Sequence, residues 1–173
     1  MASPKIVEWH PLPELLAPQA RVLAAELGLW DRTPYRGGWQ AMGIGVDCVR
    51  FVAAILDAMR RRKTDIKTLP DDTALHSRET AIEGMLRLRR ALEPNAMIPP
   101  EAGVLHVEPG DILVTGPIGG GPGHAMIVGC RQNVLWEASN LSVRRVGLSG
   151  LRRKDTVCYY AFRPTDKAAW RTE

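Results

Sequence analysis

Apolar residues recur at helical spacing in three stretches of the first half of the chain. From about Pro13 to Leu27 the positions are Leu15, Leu16, Val22, Leu23 and Leu27, with Gly28 as the expected stop. From about Asp47 to Arg62, Val49, Val52, Ile55, Leu56 and Met59 fall on one face, and Asp47 is placed to cap the helix. A third stripe, Leu75, Ile82, Met85, Leu86 and Leu92, predicts a helix from about Thr73 to Leu92 that ends at Pro94-Asn95. Beyond it the apolar runs shorten to strand length. Strands are predicted at Asp111–Val114 after the Pro109-Gly110 turn, at Ala125–Gly129, Asn133–Glu137, Ser142–Val146 and Val157–Phe162. Residues after Pro164 show no pattern and are expected to form a loose tail. Helices followed by strands predict an α+β fold, with N-terminal helices packed on a C-terminal antiparallel sheet.

A length of 173 residues suits one domain with one substantial core. At 45% hydrophobic and 24% charged residues the chain is of ordinary globular composition, so disorder and fibrous classes drop out. No stretch approaches the roughly 20 apolar residues of a helical span, and a membrane partner is not expected. The first ten residues contain no apolar h-region, which predicts a protein that is cytoplasmic as synthesised. The formal charge is +4, concentrated at Arg60-Arg61-Arg62-Lys63, Arg87-Leu88-Arg89-Arg90 and Arg152-Arg153-Lys154. The first two clusters close predicted helices and read as solvated helix ends. No aromatic residues interleave with them, so no specific nucleic-acid partner is expected.

Three cysteines without CxxC spacing argue against a disulfide framework and a structural zinc site. Cys130 and Cys158 sit in strand-like surroundings and read as small buried hydrophobes. His10, His76 and His106 are scattered, share no metal-ligand spacing, and are expected at the surface or satisfied in the core. Trp30 and Trp136 read as core or rim aromatics. There is no P-loop, and the Gly119–Gly123 run leads into a strand where a phosphate cradle needs a helix. No metal and no cofactor is expected.

Cys48 is different. It falls at the first turn of a helix, where unpaired N–H groups and the dipole favour thiolate over thiol. His124 heads a predicted strand and can serve as its general base. The following strand offers Glu137, with Asn140 as the alternative, to orient the imidazole. The backbone N–H of Cys48 would help hold an oxyanion.

The residues around this pair resemble those of the NlpC-type cysteine peptidases, papain-like enzymes that cut bacterial cell-wall peptides. Thr33-Pro34-Tyr35-Arg36-Gly37-Gly38 precedes Asp47-Cys48-Val49-Arg50-Phe51-Val52. Pro109-Gly110-Asp111-Ile112-Leu113, the Gly123–Gly129 strand and Trp136-Glu137-Ala138-Ser139 follow in the family's order. The glycine-rich approach to the cysteine resembles phage-type members. The resemblance implies a single NlpC-like catalytic domain over 1–173, with a core of about 13–163 and a helical insertion of about 64–100 that would cover the cleft as a lid. It implies Cys48 as nucleophile, His124 as base and Glu137 as third member, with Tyr35, Asp47 and Arg50 bordering the substrate. The implied activity is a peptidoglycan stem-peptide amidase or endopeptidase without cofactor. Without an export signal, such an enzyme is expected to reach the wall with a phage tail or a secretion system as partner. Val49 and Arg50 replace the family's Ser-Gly pair, and Glu137 stands where His, Asn or Gln is usual. A catalytically decayed wall- or tail-associated binding module, and an acyltransferase or amidase for small amides, are the alternative readings.

Overall fold

The computed structural model describes residues 6–70, 81–153 and 155–173. The first part of the third predicted helix, with Leu75 and His76, lies outside the described residues, as do the side chains of the Arg152–Lys154 cluster. In chain order the elements are β1 (Ile6–Trp9), α1 (Ala17–Leu29), β2 (Gln40–Ala41), β3 (Gly45–Val46) and α2 (Cys48–Arg60). Then come α3 (Ala81–Ala91), β4 (Asn95–Met97), β5 (Val104–Val107), β6 (Ile112–Pro117), β7 (His124–Val128) and β8 (Val134–Ser139). The last are β9 (Ser142–Gly147), α4 (Leu148–Arg153) and β10 (Thr156–Pro164). Six strands form one antiparallel sheet in the order β4-β10-β6-β7-β8-β9. The α+β architecture is as expected.

Strand alternation sorts side chains into two cores, one on each face of this sheet. Ile112, Val114, Ala125, Ile127, Trp136, Ala138 and Phe162 face α1 and α2, where they meet Leu23, Leu27, Phe51, Val52, Ile55 and Met59. Leu113, Met126, Val128, Leu135 and Ala161 face the other way, onto Val7, Leu105, Val107 and Leu151. Of the tryptophans, Trp30 and Trp136 are core residues, as expected. Helix α2 is buried along most of its length. Phe51, Val52 and Ile55 are fully enclosed, each burial being worth about 2 kcal/mol.

Several sequence expectations are corrected. The first helix opens as a 3-10 turn over Glu14–Leu16, which rotates Leu15 out of the stripe and leaves it exposed. It then runs past Gly28 to Leu29. Helix α3 buries Met85 and Leu88, with Leu92 just beyond it, while Ile82 and Leu86 are exposed. Helix α3 packs into the α1–α2 core, and none of the residues lining the cleft by His124 comes from the described part of the insertion.

The residues after Pro164 are an anchor and not a loose tail. Lys167 is buried, and its Nζ lies 2.7 Å from Asp111 Oδ1 and 3.0 Å from Glu108 Oε1. Trp170 packs over Gly110, whose φ of +85° suits glycine and where an added Cβ would lie 2.6 Å from the indole. The Pro109-Gly110-Asp111 motif thus serves to seat the C-terminus.

Candidate active site

The loop leading to Cys48 is pinned at both ends. The N–H of Tyr35 donates to Leu141 O at 3.0 Å, and that of Val143 donates to Thr33 O at 2.8 Å, which ties the Thr33-Pro34-Tyr35 motif to the β8–β9 turn. Tyr35 also bridges to Val46 of β3, immediately before the helix. At Gly45 the Arg36 side chain occupies the space a Cβ would need.

Asp47 caps α2. Its Oδ1 accepts the Arg50 N–H at 2.8 Å, and its Oδ2 accepts the Gly38 N–H at 2.9 Å and Arg50 NH1 at 2.6 Å. Asp47 has no exposed surface and Arg50 has little. Of the residues expected at the substrate, Asp47 thus engages the backbone and Arg50, while the buried Arg50 Nε has no hydrogen-bond partner among the described residues. They fix where the helix starts. Tyr35 is half-buried beside them.

Cys48 is the first helical residue, and its own N–H has no partner within the helix. Its thiol lies against the His124 imidazole, close enough to be one of the groups that raise the pKa of that ring. His124 heads β7, where it pairs with Thr115 of β6. The glycine run just before it is the β6–β7 turn. There the Tyr159 hydroxyl donates to Pro117 O at 2.6 Å and accepts the Gly121 N–H at 3.2 Å, while Gly123 N–H donates to Thr115 O at 2.8 Å.

The second ring nitrogen finds the expected orienter: His124 Nε2 donates to Glu137 Oε2 at 2.8 Å. Nδ1 is then the nitrogen left to face the thiol. No such bond to Asn140 is present; that residue turns the β8–β9 hairpin with φ of +40°.

Sequence reading missed a fourth member. Arg144 Nε and Nη2 lie 2.9 and 2.8 Å from Glu137 Oε1, the oxygen His124 leaves unused. The two residues are directly opposite across the β8–β9 hairpin. Counting outward from the Asn140-Leu141 turn would have found this partner.

These contacts set the charges. Burial opposes a charged imidazole at His124, but hydrogen bonds and Coulomb attraction from Cys48 and Glu137 outweigh it and push its pKa up to about 10. At Glu137 burial is likewise overcome, by His124 first and Arg144 second, so the carboxyl stays below the ordinary carboxylate range. The arrangement holds a proton on His124 near neutral pH, next to a sulfur at a helix N-terminus. Beside His124 opens a cleft of about 310 Å³, whose walls include Thr115, Pro117, Met126, Glu137 and Arg144.

The other cysteines take no part. Cys158 is buried, and burial raises the thiol of Cys130 to about 11, as suits inert packing groups. His10 and His106, expected to be unrelated, are brought together by the pairing of β1 with β5.

No family model and no curated protein matches the chain. Among solved structures, the NlpC/p60 domain of the peptidoglycan hydrolase SagA is similar over 82% of this chain and 96% of that one, at 17% identity and a TM-score of 0.49. At that level the likeness leaves the site's chemistry to be argued from its own residues.

Proposed function

We propose that this protein is a cysteine amidohydrolase in which Cys48, His124 and Glu137 cleave an amide of a peptidoglycan stem peptide. The observation that carries the reading is the alignment of four side chains: the Cys48 thiol against His124, His124 hydrogen-bonded to Glu137, and Glu137 held in turn by Arg144. A merely structural cysteine has no need of a charged, oriented imidazole. The order of motifs along the sequence supports the wall peptide as substrate class.

In the proposed cycle the Cys48 thiolate attacks the scissile carbonyl carbon, and the oxyanion is held by the Cys48 N–H at the positive end of α2. Collapse breaks the C–N bond as the His124 imidazolium gives its proton to the departing amine. The resulting thioester is hydrolysed by a water that His124, now neutral, deprotonates; the acid leaves and the thiolate–imidazolium pair is restored. Glu137 keeps the ring oriented throughout and stays ionised. Arg144 is 45% exposed at the cleft wall and presents its outer edge to a carboxylate, a group that stem peptides carry.

Incubation with purified peptidoglycan tests this. The native protein is expected to release new amine termini and shortened muropeptides, and Cys48→Ala to lower the rate by about 10⁴-fold or more. Equal release by the two proteins would remove Cys48 from the mechanism.

A further inference from the structure

Away from the cleft, the parallel pairing of β1 with β5 sets Glu8 directly opposite His106 and carries His10 to the same edge. His10 Nε2 lies 3.0 Å from His106 Nδ1. Glu8 bridges them, with Oε1 3.6 Å from His10 Nε2 and Oε2 3.6 Å from His106 Nδ1. We infer that Glu8, His10 and His106 form a binding site for a divalent transition metal of the Zn²⁺ class, which clasps the N-terminal strand to the domain.

The geometry fits such an ion. Tetrahedral ligands at Zn–N and Zn–O distances of about 2.0–2.1 Å stand about 3.3 Å from one another. The two imidazole nitrogens are 3.0 Å apart and each stands 3.6 Å from a different oxygen of Glu8, so one ligand atom from each residue lies within 4.8 Å of the others. The two imidazole planes are inclined by 58°, so their nitrogens converge instead of the rings stacking. Two imidazoles with one carboxylate favour zinc and its neighbours over Mg²⁺ or Ca²⁺, which prefer oxygen. The far nitrogen of His106, Nε2, lies 3.8 Å from Glu101 Oε2, outside hydrogen-bond reach but near enough for that carboxylate to orient the imidazole once an ion is bound. All three ligands reach solvent, which leaves the fourth position to water.

The site has structural work to do. β1 is held by a four-residue parallel pairing outside the main sheet, a pairing that is weak by itself. A metal bridging His10 and His106 would close that strand onto the segment that leads into Glu108–Asp111 and β6.

Calorimetric titration with Zn²⁺ tests the site, using Cys48→Ala protein so that the active-site thiol does not compete. One equivalent should bind, Mg²⁺ should not, and Co²⁺ should give the intense visible bands of a tetrahedral complex. His10→Ala or His106→Ala, added separately, should weaken Zn²⁺ binding by about 100-fold, and Glu101→Gln by about 10-fold. Amide exchange in residues 6–10 should slow with Zn²⁺ and be unchanged by it in His10→Ala, whose exposed position leaves the fold intact. Absence of Zn²⁺ binding, or binding indifferent to both histidine substitutions, would overturn the inference without touching the proposed hydrolase.

Discussion

At the scale of single residues, the site turns on a carboxylate where a neutral or imidazole side chain is usual among the resembled enzymes. A lone carboxylate beside His124 would bind its proton too tightly for release to a leaving amine. Arg144 shares that charge by occupying the other oxygen of Glu137. Removing it withdraws one of the influences that hold the Glu137 carboxyl low, so its pKa rises. Arg144→Ala is expected to lower kcat/KM about tenfold, the equivalent of about 1.4 kcal/mol, and to move the acid limb of the pH profile upward. A loss of activity with an unmoved acid limb would assign Arg144 to substrate binding alone. That Cys48, His124 and Glu137 could come together was legible in the sequence because each lies within a local motif. Arg144 was not, because its role depends on hairpin register.

At the scale of elements, helix α2 shows why Val49 and Arg50 can follow Cys48. Val49 is part of the core, and Arg50 folds back on the N-cap carboxylate within a buried pair. The pair sets the position of the first helical turn and with it that of Cys48. Asp47→Ala removes a cap and strands a buried guanidinium, and unfolding is expected to become easier by about 3 kcal/mol. Adding Arg50→Met should recover part of that loss in a denaturant titration, whereas additive losses would show that the two side chains act independently. The sequence pattern marked α2 clearly because its buried face repeats at 3.6 residues. Strands β1 and β5 escaped it, since each is four residues long and each finds its partner only across most of the chain.

At the scale of the whole molecule, long-range contacts decided what local pattern could not. The segment after Pro164 is polar and irregular in sequence, yet Lys167 and Trp170 are buried by Asp111, Glu108 and Gly110 far upstream. The two-faced sheet was foreseeable from strand alternation; its strand order was not. The Cys48–His124 pair is likewise a product of the assembled fold, which brings a helix start and a strand start together. In the unfolded chain His124 returns to an ordinary value near 6.5, while in the native state it titrates near 10. Because the folded state holds that proton more tightly, this contribution to stability is complete below about pH 6.5 and is lost as pH climbs through about 10. Following the His124 ring resonance by NMR across this range tests the pairing directly. A midpoint near 10 in the native protein and a marked fall in Cys48→Ala are expected; a midpoint near 6.5 in both would contradict the pairing.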